Sequence, residues 1–210
     1  NHHTQTQTNK MSRHYSEENW DSIKNKFIKL GGTINNLTCK NSEKGRGVFI
    51  EGDRHKAQII CPKNLLIKVE NATLIDGKFR LKKESDHLPE EKEFLENYYQ
   101  NFSWGESGKE ESVKFLKEIR QIPKEAKTFC LNNRICTNRF LNCEIDANLI
   151  FQDFINRRYV KYLNKSVLAP IWELVNHSPF TRSFKTSNKG VETAPNPDDR
   201  TTNELLHAYT

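Results

Sequence analysis

The sequence contains the stretch Pro170-Ile171-Trp172-Glu173-Leu174-Val175-Asn176-His177-Ser178, and this stretch decides the predicted fold. An apolar run that ends in three polar residues is typical of a buried strand that delivers side chains to a site. Taken alone, the polar triplet is more typical of a turn or a chain cap. A zinc site is a weaker interpretation still, because His177 has no histidine or cysteine at ligand spacing and His207 is far along the chain. The stretch therefore has to be interpreted with its surroundings.

Upstream of this stretch the pattern predicts one helix, a β-region and a helical region. The first helix has Ser16 as its N-cap and ends at Gly31-Gly32. Short β-branched runs then predict strands over residues 33–39, 47–51, 57–61 and 65–69. Three further helices are predicted, the first from Pro89 through Phe102 and the others over 109–122 and 147–163. The apolar positions of the first helix are Trp20, Ile23, Phe27 and Leu30.

A second β-region follows, from residue 166 to the end, with Pro and Gly punctuating short strand-like pieces. The order β-region, helices, β-region favours one interrupted α+β domain over two independent domains. The predicted organisation is a disordered tail or tag remnant over 1–15, the first half of the domain over 16–86, a helical insert over 87–146 and the second half over 147–210.

Composition limits the classes of protein to consider. The net charge is +6, but Lys and Glu alternate along the chain, which indicates a solvated face more than a nucleic-acid surface. The sequence has no run of about 18 apolar residues and no signal-peptide profile, so no membrane partner and a cytoplasmic protein are expected, or a nuclear one if the source is eukaryotic. The five cysteines have an odd count and no Cys-x-x-Cys pair, which favours reduced thiols and no metal.

Two other features could carry chemistry. Gly45-Arg46-Gly47 precedes an apolar strand, where two glycines let the main chain approach a ligand closely, although such a pair is usually just a turn. Tyr209 ends an apolar run and would ordinarily be a core or rim aromatic. The sequence lacks the Gly-x-Ser-x-Gly, phosphate-loop and His-Glu-x-x-His motifs, so hydrolase, kinase and metalloprotease activities find no support.

The order of these motifs resembles SET domains, in the branch typified by Rubisco large-subunit lysine methyltransferase. This resemblance spans about residues 20–209 and is most specific at the Asn-His-Ser triplet with its upstream proline and glutamate. It implies a SET fold of small β-sheets with a pseudoknot near the active site, interrupted by a helical insert. The matching segments are Trp20 to Gly32, Gly45 to Phe49, Ile60 to Leu66, Phe154 to Arg158, Pro170 to Ser178 and Asn203 to Tyr209.

The resemblance also implies S-adenosyl-L-methionine as cofactor and a role for each matching residue. The main chain of Gly45-Arg46-Gly47 would cradle the methionine part of the cofactor. Arg158 would pair with its carboxylate, a task that suits a guanidinium fork, and Arg157 is the fallback if the register shifts by one. Asn176 would hold the cofactor amine. His177 would contact the adenine through its main chain.

The implied catalytic residue is Tyr209, beside the sulfonium and the incoming amine. The implied partner is a protein that presents a lysine. Three alternatives stay open: a protein-histidine methyltransferase, a catalytically silent SET-like interaction module and a basic nucleic-acid-binding protein. Relatives continue past the position of Thr210 to a second tyrosine, so a truncated second half and a naturally minimal one are both compatible with the sequence. The sequence does not indicate an oligomeric state.

Overall fold

The computed structural model describes residues 19–43, 45–178 and 181–208, apart from the side chains at 106 and 107. Its first described element is a helix, α1 (residues 19–29). Trp20, Ile23 and Phe27 of α1 are buried, as their helical spacing predicts. The predicted cap Ser16 lies outside the described residues.

The first β-region forms short strands with tight connections. Gln58–Pro62 alternates buried and half-buried residues, as a strand with one face on the core does. The predicted strand over 33–39 is broken at Asn36, whose φ of +51° turns the chain and divides it in two. The strands are β1 (Thr33–Asn35), β2 (Leu37–Ser42), β3 (Gly45–Ile50), β4 (Gln58–Pro62), β5 (Ile67–Lys68), β6 (Ala72–Ile75) and β7 (Lys78–Leu81).

The helical region runs from Pro89 to Asn156. Its predicted first helix starts at Pro89 but changes at Tyr99 into a π-helix, Tyr99–Gly108. The predicted helix over 147–163 was too long: it ends at Asn156, because the next residues turn and enter a strand. The helices are α2 (Pro89–Tyr98), α3 (Lys109–Ile119), α4 (Lys124–Asn132), α5 (Asn138–Asn142) and α6 (Ala147–Asn156).

The second β-region completes sheets that the first one starts. One sheet has the order β1-β4-β12-β11 and another the order β5-β9-β8, so each combines strands from both sides of the helices. The two β-regions therefore share one core, in which Ile59, Cys61 and Val191 are fully buried. The strands are β8 (Val160–Tyr162), β9 (Lys165–Leu168), β10 (Asn176–His177), β11 (Lys185–Ser187), β12 (Gly190–Thr193) and β13 (Leu206–His207).

The predicted α+β class, with small sheets interrupted by helices, is confirmed by this architecture. Within the described residues, all pairings between strands are antiparallel except that of β10 with β13, which is parallel and is followed by an isolated parallel bridge between Ser183 and Ala208. The polar residues Asn176 and His177 of the deciding stretch form β10 of this parallel pair. The threading that a pseudoknot requires stays a prediction.

Candidate functional site

The deciding stretch ends against the C-terminal segment, residues 203–208. Asn176 pairs with Leu206 and His177 with His207 in the two-stranded parallel sheet. The N–H of Ser178 donates to the carbonyl oxygen of His207 at 2.9 Å and extends this pairing by one residue. Asn176 and His177 are exposed, so they lie at an accessible edge.

The same C-terminal segment also contacts β3 on its other side. The N–H of Leu205 donates to the carbonyl oxygen of Val48 at 2.8 Å, and the N–H of Ile50 donates to that of Asn203 at 2.7 Å. Since Leu205 is fully buried, the segment is anchored by its side chain as well. Residues 203–208 therefore join β3 and β10, two strands that are far apart in sequence.

The side-chain amide of Asn176 bonds to both β3 and the C-terminal segment. Its Nδ2 donates to the carbonyl oxygen of Arg46 at 3.1 Å and to Oε1 of Glu204 at 2.7 Å. A Cβ on Gly47 would lie 2.6 Å from that Glu204 oxygen and 3.1 Å from Nδ2 of Asn176. A side chain at Gly47 would thus displace the Glu204 carboxylate from Asn176, and Gly45 has a φ of +101° at the β2–β3 turn, which favours glycine. The predicted residues Gly45, Arg46, Gly47 and Asn176 are brought together, with Glu204 as a member that the motif did not single out.

The side chain of Arg46 leaves the β-region and reaches the π-helix. Its Nη1 donates to the carbonyl oxygen of Phe102 at 3.1 Å, and its guanidinium lies over the Phe102 ring, 4.3 Å from the centroid. Stacking of a guanidinium on an aromatic face is favourable. Arg46 therefore ties the glycine-rich strand to the helical region.

The two candidate arginines after α6 have different partners. Arg157 is engaged in the helical core, with Nε 3.1 Å from Oδ2 of the buried Asp153. Arg158 lies over the Phe154 ring at 4.1 Å and places Nη2 3.1 Å from Oε2 of Glu111 on α3. Both arginines are paired with a carboxylate, but Asp153 is fully buried whereas Glu111 is half exposed, so Arg158 can exchange its partner more easily and is the better candidate to hold an acidic ligand.

An acid cluster that interacts with the charge of Arg158 is formed by the half-buried Glu173 and the buried residues Tyr98, Tyr99 and Ser103. The Tyr98 hydroxyl donates to Oε1 of Glu173 at 3.0 Å and the Tyr99 hydroxyl to Oε2 at 3.1 Å, and the Ser103 hydroxyl also donates to Oε1. Burial raises the pKa of Glu173, while the charge of Arg158 and the three hydroxyl groups oppose that rise. Burial also raises the pKa of both tyrosines.

The π-helix explains how one carboxylate can collect these donors. In an α-helix, residues five apart point about 140° away from each other, so Tyr98 and Ser103 would diverge. The i→i+5 winding of a π-helix brings residues at that spacing onto one side, where both reach Glu173. Sequence reasoning missed the cluster. The available signals were a glutamate within an apolar run and the adjacent tyrosines at 98 and 99.

The two histidines of the parallel sheet have opposite environments. His207 is fully buried and stacks on Trp172, with ring centroids 4.6 Å apart and planes 5° from parallel. Burial, and secondarily the charge of His177, lowers the pKa of His207 to about 4, so it is neutral at physiological pH. Trp172 is itself fixed by donating from Nε1 to Oγ1 of Thr193 at 2.8 Å. His207 therefore anchors the strand that pairs with the exposed His177.

The predicted catalytic Tyr209 lies outside the described residues. The preceding residue, Ala208, is held by a bond from its N–H to the carbonyl oxygen of Arg182 at 3.0 Å. In the described ranges, no group of three or more His, Cys, Asp or Glu side chains could hold a metal ion. The helices of those ranges are also too short or too polar to cross a membrane.

Neither a family model nor a curated protein matches the sequence. One solved structure that resembles the chain is the SET domain of LSMT bound to lysine and AdoHcy. The two share 14% sequence identity with a TM-score of 0.46, and the match covers 91% of this chain and 53% of that chain. The chain thus spans about half the length of that protein.

Proposed function

We propose that this chain is a SET-type methyltransferase that uses S-adenosylmethionine to methylate a lysine of a protein. The observation that carries the proposal is the contact between Asn176 and the main chain of Arg46, which are 130 positions apart in sequence. These are two of the segments that the motif resemblance assigns to one cofactor site. A third such segment, of which residues 203–208 are described, bonds to the strands on both sides.

The groups at this site suit the chemistry of the cofactor. Arg158 pairs with the half-exposed carboxylate of Glu111, so its guanidinium would receive the carboxylate of an amino-acid ligand by exchanging this partner. Asn176 can accept a hydrogen bond from the amine of such a ligand through Oδ1, because its Nδ2 is committed to two protein acceptors. The main chain of Gly45 to Gly47 would cradle the rest of the methionine part, and the main chain of the exposed His177 would contact the adenine.

When bound, S-adenosylmethionine supplies an activated methyl group on a sulfonium. The chain then has to align a neutral amine with that group and to exclude water, which needs positioning more than a strong acid or a metal. Tyr209 would orient the incoming amine through its hydroxyl group. Apolar surroundings lower the pKa of a lysine and thereby favour the neutral amine that attacks.

Calorimetric titration of S-adenosylmethionine tests the site. We expect saturable binding to the wild type and about tenfold weaker binding to Asn176→Ala, since a hydrogen bond to a charged amine is lost. Asn132→Ala, at an exposed position at the end of α4, is the matched control and should bind like the wild type. Absence of binding to the folded wild type would refute the proposal.

Transfer of a labelled methyl group to lysine-containing peptides tests the reaction. We expect Tyr209→Phe to lose most of the transfer while its affinity for the cofactor stays within about threefold, because the hydroxyl acts on the amine. Tyr159→Phe, at a position 38% exposed, is the control. Mass spectrometry of the product distinguishes lysine from histidine methylation. Cofactor binding without transfer to any peptide would instead favour the silent interaction module.

A further inference from the structure

The amide of Asn176 can be oriented from its neighbours. One of its two terminal atoms lies 3.1 Å from the carbonyl oxygen of Arg46 and 2.7 Å from a carboxylate oxygen of Glu204. Both neighbours accept hydrogen bonds and cannot donate them at neutral pH, so the amide must turn its nitrogen toward them. The oxygen Oδ1 consequently faces away from both acceptors.

Glu204 is itself well fixed. It forms a β-bridge with Phe49 of β3, and its N–H donates to Oγ1 of Thr202 at 3.0 Å. Its carboxylate fits above β3 only because Gly47 has no side chain, since a Cβ there would lie 2.6 Å from Oε1. The glycine, the asparagine and the glutamate therefore form one packed unit.

Of the two acceptors, Glu204 is the stronger, because a charged acceptor makes a shorter and stronger hydrogen bond than a carbonyl. The 2.7 Å distance is shorter than the 3.1 Å distance to Arg46. Without the carboxylate, rotation of the amide by 180° about χ2 would lose only the weaker bond to Arg46. The rotated amide would present NH₂ to the ligand and repel a positively charged amine.

We propose that Glu204 is a positioning residue that fixes the amide of Asn176 so that Oδ1 is presented to the ammonium group of an amino-acid ligand. This inference rests on the proposed function, in which that ligand is the methionine end of the cofactor. Glu204 acts through Asn176 and selects for the charged amine, while the carboxylate of the ligand is held elsewhere.

The test compares two ligands that differ only at the amine: S-adenosylhomocysteine and its analogue with hydrogen in place of the α-amino group. For Glu204→Ala we expect about tenfold weaker binding of S-adenosylhomocysteine and less than a twofold change for the analogue. Glu204→Asp keeps the charge but is one methylene too short to reach Asn176, so it should behave like Glu204→Ala. Glu204→Gln keeps an acceptor and should stay within about threefold of the wild type. Glu51→Ala, at an exposed position just after β3, is the control.

Equal losses for both ligands would overturn the inference, because they would mean that Glu204 only supports the strands. An unchanged affinity in both Glu204→Ala and Glu204→Asp would overturn it as well. If Glu204→Ala does not fold, as judged by its thermal unfolding, Glu204→Asp decides the question alone. Failure of the proposed function gives a different result, because the wild type would then bind neither ligand.

Discussion

Acidification should destabilise this protein through His207. The imidazole is fully buried against Trp172, so a proton placed on it in the folded state would be a charge without water around it. In the unfolded chain the same group is hydrated and takes up a proton at its ordinary pKa of 6.5. Because the folded pKa is lowered, the contribution to stability is complete above pH 6.5 and is lost as the pH falls toward 4.

The size of the effect follows from the two pKa values. Burial lowers the pKa of His207 from 6.5 to about 4, and each unit corresponds to about 1.4 kcal/mol. Integration of proton binding to both states gives a loss of about 2 kcal/mol between pH 7.5 and pH 5, and of about 3 kcal/mol by pH 4. That is a large share of the 5–15 kcal/mol that is typical of a folded domain.

Urea unfolding at pH 7.5, 6 and 5 measures this loss. His207→Phe replaces the imidazole with an aromatic ring that can still pack on Trp172 but cannot titrate, so carboxylate effects common to both proteins cancel in the difference. We expect the wild type to lose about 2 kcal/mol more than His207→Phe over this range. His55→Phe, at an exposed position, should follow the wild type. A difference below about 0.5 kcal/mol, or one of opposite sign, would refute the reasoning.

Three other substitutions test the fold and the site. Tyr98→Phe removes one hydroxyl group from the acid cluster and should lower the unfolding free energy by about 1 kcal/mol in urea denaturation; an unchanged midpoint would contradict the hydrogen bond. Gly190→Ala should abolish soluble expression, because φ is +145° and the added Cβ would lie 1.9 Å from the carbonyl oxygen of Cys61; wild-type yield would be inconsistent with the β4–β12 register. Glu111→Gln removes a carboxylate that competes for Arg158, so the affinity for S-adenosylmethionine should rise about twofold to fivefold in calorimetry; a fall would show that Glu111 instead supports Arg158.

The parts of the fold that follow from local patterns were predictable. Helical spacing identifies the buried face of α1, with Trp20 and Phe27, and the glycine pair at 45 and 47 marks the turn and the strand that follows it. The end of α6 at Asn156 was not predictable, because the apolar pattern continues through Val160 and Tyr162, which are buried in a strand instead. Periodicity alone cannot separate a helix from a strand in so short an apolar run.

Part of the candidate site was also predictable from the sequence, and part was not. Motif order was enough to indicate that Asn176 and Arg46 belong to one site, since both stand within short, specific motifs. The residues that contact these site residues were not predictable. Glu111, which pairs with Arg158, lies on α3, and the sequence pattern of α3 is only that of an amphipathic surface helix. His207 stacks on Trp172, and no local sequence pattern predicts a contact between residues so far apart in sequence. Such contacts are tertiary and leave no periodic signal.

The acid cluster connects α2 and the π-helix to the candidate site, although the glycine-rich motif and the Asn-His-Ser motif lie in the β-regions. A carboxylate within the run from Ile171 to Val175 costs several kcal/mol to bury unless donors surround it. All three hydroxyl donors of Glu173 come from α2 and the π-helix, and Glu173 lies three positions before Asn176. The π-helix also accepts the hydrogen bond from Arg46. A change in the winding of this helix would therefore move both sides of the site at once. Glu173, in the 3-10 turn before the strand that carries Asn176, and Arg46, on the strand that carries Gly47, are each bonded to it.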